Sequence, residues 1–172
     1  MSKLAAFLLG IVATLVLAVA GGYFLIRSGS IPANADAEPG ALETWAARTS
    51  LRATIAREMP QGDAPIPASP ENLRAGMKLY GEHCAFCHGL ADGKATYSAL
   101  GLFQKPPQLA KKPVTHDPAG SLYWKIAHGI RLTGMPGYRA SISEDQVWQL
   151  VLFLKTMENL PAPLDAEWKS LH

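Results

Sequence analysis

The residues best equipped for chemistry are Cys84, Cys87 and His88, which stand together as Cys84-Ala85-Phe86-Cys87-His88. Two thiols three positions apart lie one turn apart on a helix, and an imidazole follows directly. C-x-x-C-H is the signature of c-type haem attachment: the thiols form thioethers to the two vinyl groups on one haem edge, and the imidazole lies beneath the iron as proximal ligand. Two other readings of the cysteine pair carry less weight. A thioredoxin-like couple should open a helix after a strand, whereas Cys84 closes a helical pattern. Half of a zinc site would need a second cysteine pair, and the chain has two cysteines in all.

A cytochrome iron takes a second axial ligand, and a thioether opposite histidine raises the reduction potential by favouring the ferrous form. The sequence offers Met135 in Thr133-Gly134-Met135-Pro136-Gly137-Tyr138, a turn-rich segment 47 residues after His88. Gly134 and Pro136 suit a loop held close against a flat cofactor. Met59, Met77, Met157, His83, His116 and His128 compete for the role. His83 adjoins Cys84 and cannot swing to the opposite face. His128 is the serious rival, although its place before Gly129 at a helix end suits it better to favourable charge there.

Helical patterns position these groups. Ser69 can cap a helix whose first position is Pro70, with Leu73, Met77 and Tyr80 on one face. Asp117-Pro118 opens a second helix that runs to His128 and is stopped by Gly129. Ser143-x-x-Gln146 is a capping box before a third, striped by Val147, Leu150, Val151 and Leu154. No alternating strand pattern appears, so an all-α domain is expected.

The amino-terminal stretch Leu4–Ile26 carries no ionisable side chain except Tyr23. As a helix its 23 residues span roughly 34 Å, enough for the hydrocarbon layer of a bilayer. Ala18-Val19-Ala20 would also fit a signal-peptidase site, but the apolar run continues to Arg27, so a retained anchor is the favoured reading. Lys3 before the span places the short end in the cytoplasm and the bulk outside it. Small residues every fourth position (Ala6, Gly10, Thr14, Ala18, Gly22) form a stripe along the span. Prolines punctuate residues 31–70, between which Leu42, Trp45, Thr49, Ile55 and Met59 fall loosely on one side of a short helix. That side could meet the membrane surface, a partner subunit or the domain itself. Gln61–Pro70 reads as a proline-stiffened spacer.

The order of these motifs resembles the mono-haem class I c-type cytochromes, in a membrane-anchored bacterial form. Gly76-x-x-x-Tyr80-x-x-x-Cys84-x-x-Cys87-His88-Gly89 resembles the family's first helix and haem site, Pro107-Gln108-Leu109 its proline loop, and Gly134-Met135-Pro136 its methionine loop. The likeness covers about half the chain. It implies a class I cytochrome c fold, with three main helices around one covalent haem c. It further implies a helix crossing at Gly76 with Tyr80 and Phe153 packed there, and a bond from His88 to the Pro107 carbonyl. Pro107, Leu109, Trp124, Ile126 and Tyr138 are the candidates to line the pocket, with Cys84 and Cys87 as thioether donors and His88 and Met135 as axial ligands. The expected organisation is an anchor over 1–27, a linker with a short helix over 28–70, the haem domain over 71–160 and a tail over 161–172. The path of the long basic stretch from Gly89 to the proline loop is not set by the likeness.

With both axial positions filled, outer-sphere one-electron transfer is favoured and no catalytic residue is expected. The leading expectation is a tethered carrier, shuttle or subunit, between a quinol-oxidising or dehydrogenase complex and an acceptor. It would sit in the cytoplasmic (inner) membrane as a single-pass protein with its haem domain on the periplasmic or extracytoplasmic side. The alternatives are a structural cytochrome subunit, or a haem enzyme or gas binder whose Met135 can be displaced. From Gly89 to Ala140 seven Lys or Arg face two Asp, a formal +5, whereas the chain from Ser141 onward is a formal −3. The positive stretch holds the loops expected around the haem, which favours acidic electron-transfer partners besides a membrane redox complex and lipid around the anchor. A net charge of +2 with 17% charged residues argues against nucleic acid, and 48% hydrophobic content against wholesale disorder.

Overall fold

A computed structural model of the chain describes residues 2–171. The described residues form eight helices and no strand. They separate into two compact units at the Ala37–Glu38 junction.

The first unit is α1, Lys3–Arg27, a 25-residue helix whose Ser2 side chain accepts the Ala5 N–H at 3.2 Å. Every residue of α1 is exposed, its apolar ones included, and by length and composition it can cross a membrane.

The second unit is built on the crossing of α3 (Pro70–His83) and α7 (Glu144–Thr156). Both helices start where their caps dictate. Ser69 accepts the Asn72 N–H at 3.3 Å, and Ser143 and Gln146 exchange both bonds of a capping box, at 3.2 and 2.8 Å. The two backbones touch at Gly76, where a Cβ would overlap the Gln149 carbonyl. Tyr80 and Phe153 meet beside that point with ring centroids 5.5 Å apart, both fully buried. The crossing and its aromatic pair match what the sequence implied.

Further helices pack around this centre. α6 (Ala119–His128) lies on α7 with Leu122, Ile126 and Ala127 buried. The carboxy-terminal segment contributes α8 (Ala162–Ser170), which buries Leu164 and Trp168. The Trp168 indole stands edge-on to both Tyr80 and Phe153, at 5.4 and 5.2 Å. The segment expected as a tail thus supplies part of the core; the pair Leu164 and Trp168 at i, i+4 behind two prolines is its signal in the sequence.

The linker region also packs. α2 (Ala41–Glu58) rests on α6, but only by its carboxy-terminal half: Ile55 is buried, while Leu42 and Trp45 are 76% and 64% exposed. The loose apolar side read from the sequence is therefore split, half of it inside and half facing solvent. Beyond it Ala64 and Ile66 pack against the core, so the proline-stiffened segment lies along the domain.

Two short helices complete the unit, α4 (Ala85–His88) and α5 (Tyr97–Gly101). α5 gives the basic stretch its path. Thr96 caps it through the Ala99 N–H at 3.0 Å and donates its hydroxyl to the Phe86 carbonyl at 2.6 Å, while Leu102 just beyond packs over Gly134. The stretch therefore runs from the cysteine motif to the methionine loop.

Gly76→Ala drives a methyl group into backbone, and is expected to cost about 1–3 kcal/mol, read from denaturant unfolding of the haem-loaded protein. Tyr80→Phe keeps the ring packing but strands the buried Gly89 carbonyl, to which the phenol donates at 2.8 Å. A loss of about 1–3 kcal/mol is expected by the same measurement.

Candidate haem site

Cys84 ends α3 and caps α4, so the C-x-x-C-H residues follow directly from the helix that crosses α7 at Gly76. Within the motif the Cys87 and His88 N–H groups both point back to the Cys84 carbonyl, at 3.1 and 2.8 Å. One tight turn therefore presents both sulfurs and the imidazole. Gly89 ends the turn with φ of 73°, and the Tyr80 hydroxyl holds its carbonyl. Cys84 and Cys87 are half-buried free thiols, not bridged to each other. Burial pushes the Cys84 thiol up to about 12, with the neighbouring Cys87 adding to the effect, so it is held protonated in an apolar setting.

Three bonds lash this turn to the proline loop. His88 Nδ1 donates to the Pro107 carbonyl at 2.9 Å, the Leu109 N–H donates to the His88 carbonyl at 3.2 Å, and Gln108 Nε2 donates to the Cys87 carbonyl at 3.0 Å. With Nδ1 occupied as a donor, Nε2 is the nitrogen left with a lone pair for a metal. Burial lowers the His88 pKa and the Pro107 bond works against that shift, so the ring is biased to the neutral form that a metal requires. The clasp by Gln108 is not legible from residue type, since any polar residue could stand between a proline and a leucine in a loop.

The methionine loop is fastened to the end of α6. Gly129 stops the helix with φ of 68°, and a Cβ there would overlap the Pro136 and Gly137 backbone. The Ile130 N–H donates to the Met135 carbonyl at 3.1 Å, and Tyr138 and Arg139 donate their N–H groups to Ile126 and Ala127 at 3.0 and 3.1 Å. The Tyr138 hydroxyl reaches across to the His83 carbonyl at 2.8 Å, tying this loop to the helix that carries the cysteines. Leu132 takes φ of 61° and is 89% exposed beside the loop.

Of the residues singled out from sequence, Leu109 and Ile126 belong to the buried core, and Cys84, Met135 and Tyr138 are half-buried against the same cluster. Pro107 is exposed and contributes its carbonyl. Trp124 is set apart: its indole donates to Glu58 of α2 at 3.2 Å and its ring lies 5.1 Å from His128, on the α2 side of α6. His128 itself is exposed at the helix end.

The donor set fits a haem. Two thiols, an imidazole with its second nitrogen already engaged and a thioether border one apolar cluster, which is what a covalently held, doubly ligated porphyrin asks of a protein. The buried Trp148 Nε1 and Gln108 Oε1 are polar atoms without a partner among the described residues.

Residues 71–154 match the family described as cytochrome c oxidase, cbb3-type, subunit III. The chain is 30% identical over 94 residues to a quinohemoprotein alcohol dehydrogenase, ADH IIB, of Pseudomonas putida, a match covering 55% of this chain and 12% of that relative's length. Among solved structures, a chain of the Kuenenia stuttgartiensis reducing HAO-like protein complex superposes with a TM-score of 0.46 at 24% identity, covering 57% of this chain and 50% of the other. With its single C-x-x-C-H turn, its all-helical fold and the family match across both candidate ligand loops, residues 71–154 of the chain are a mono-haem c-type cytochrome domain, a domain of electron transfer with the class I fold.

Proposed function

We propose that this protein is a membrane-tethered one-electron carrier that holds one covalent haem c through Cys84 and Cys87, with His88 and Met135 as axial ligands. The haem supplies an iron that cycles between the ferrous and ferric forms. The observation that carries the reading is the pairing of the C-x-x-C-H turn, its His88 Nδ1 fixed by the Pro107 carbonyl, with a methionine loop fixed to α6 against the same apolar cluster.

Each protein group then has a task. Pro107 orients the imidazole and strengthens it as a donor through its carbonyl. Met135 contributes a soft ligand that favours the lower oxidation state. Leu109, Ile126 and Tyr138 exclude water from the pocket. The assignment gives Trp124 to the α2 contact and not to the pocket, in keeping with its bond to Glu58. With no position left for a substrate, the chain works as a carrier or as the electron-transfer subunit of an oxidoreductase complex, and not as an enzyme.

α1 would hold the domain near its partners in the inner membrane, with the domain on the periplasmic side, raising their effective concentration. Two of the seven cations between Gly89 and Ala140 are neutralised locally, Lys94 by Asp92 and Lys125 by Asp117, at 3.2 and 2.9 Å. Lys105, Lys111, Lys112, Arg131 and Arg139 remain to meet an acidic partner from the loops around the site.

Met135→Ala tests the ligand set. The purified chain should keep its pigment through acid–acetone extraction with or without the substitution, since the thioethers are untouched. The variant should lose the ferric methionine charge-transfer band, and its potential should fall by on the order of 0.1 V or more, part of the ~0.8 V range that axial ligands govern. Unchanged spectra would reject Met135, and extractable pigment would reject covalent attachment. Steering predicts that the electron-transfer rate with an acidic partner falls severalfold as ionic strength rises and the Debye length shrinks from about 30 Å at 0.01 M to about 8 Å at 0.15 M. Stopped-flow mixing across that range checks it.

A further inference from the structure

We propose that α2 is a second membrane contact: its outward face docks on an anionic phospholipid surface, with headgroup phosphates on Arg48 and Arg52 and with Trp45 and Leu42 in the interfacial layer. The proposal rests on reading α1 as a retained anchor, but adds a site on a different element.

The face is defined by position and burial. Trp45, Arg48 and Arg52 stand at i, i+3 and i+7, and Leu42 lies one turn before Trp45, so the four share one side of the helix. All four are exposed; Ile55, at i+7 from Arg48 and i+3 from Arg52, continues the same side towards the carboxy terminus and packs on the domain, so the two arginines stand at the edge of the α2–α6 contact and Leu42 and Trp45 beyond it. Arg48 and Arg52 have no carboxylate partner among the described residues, in contrast to Arg57, which pairs with Glu58 at 2.6 Å. A cleft of about 340 Å³ opens beside them between α2 and α6, with Arg48, Arg52 and Lys125 at its walls and Leu51, Ile55 and Met59 among its apolar lining. Lys125 is already paired with Asp117, so the free charge in the cleft belongs to the two arginines.

This combination of a cationic rim, an apolar floor and an interfacial tryptophan complements an anionic phospholipid, whose headgroup is charged and whose glycerol region is apolar. An acidic protein surface would satisfy the arginines, but has less use for an exposed Leu42 and Trp45 ahead of them. Chain length favours the same occupant. Thirteen residues separate the last residue of α1 from the first of α2, at most about 45 Å when extended, so α2 is the helix nearest α1 along the chain and stays within reach of a bilayer around α1.

The full haem-loaded chain in nanodiscs tests this, comparing phosphatidylcholine alone with an equal mixture of phosphatidylcholine and phosphatidylglycerol. Amide hydrogen exchange over residues 41–52 should be about tenfold slower in the anionic discs. The difference should vanish in the double variant Arg48→Gln, Arg52→Gln, whose unchanged haem spectrum would show that the domain is intact. Exchange that is equal in the two lipids, or protection that survives the double variant, overturns the proposal, as does protection that appears only when another protein co-purifies. A chain that does not co-migrate with the discs at all overturns the anchor reading instead, and the two failures are distinguished by that measurement.

Discussion

An imidazole can offer one nitrogen to a metal in a fixed direction only when its other nitrogen is spoken for. The bond from His88 Nδ1 to the Pro107 carbonyl meets that requirement, and much of the domain serves to keep its two ends together. The turn holding His88 grows out of α3, which is locked against α7 at a residue without a side chain. The loop holding Pro107 is drawn in by Gln108 and by Leu109, whose side chain is part of the core. A displacement of either end would misdirect the ring, and the bonds of His88, Leu109 and Gln108 to backbone carbonyls oppose it.

Much of this was legible in the sequence because it is local. Caps at Ser69 and Ser143, the stop at Gly129 and the C-x-x-C-H turn are each set by residues within four positions of one another, and the structure has them all. The Gly76 crossing followed from resemblance and has a steric reason on the page. What escaped was long-range. The indole of Trp168 completes an aromatic trio with partners 88 and 15 residues away, and nothing in its own neighbourhood says so. Trp124 looked like a pocket residue because it shares a helix with Ile126, but its side of that helix meets Glu58, a partner in a segment that composition marks as linker. The apolar side of α2 misled for the same reason: periodicity shows that residues share a face, not that the face is covered along its whole length.

The basic stretch between the cysteine motif and the proline loop shows a third kind of limit. It has little hydrophobic periodicity, and its order comes from single contacts, Thr96 on the Phe86 carbonyl and Leu102 over Gly134. Of the two cations in that stretch, Lys94 pairs with Asp92, and Lys105 is held on the framed segment by its bond to the Leu100 carbonyl at 2.7 Å.

The methionine loop carries one more implication. Tyr138 is held by its N–H to Ile126 and by its hydroxyl to His83, and Arg139 by its N–H to Ala127, so the loop is stitched at three points to two helices, while the Met135 carbonyl closes it on the Ile130 N–H. If the thioether caps the iron, a small competing molecule such as carbon monoxide has to wait for that stitching to open. Poison resistance in this protein would then be a matter of latching rather than of affinity, set by how rarely a short run of backbone lets go.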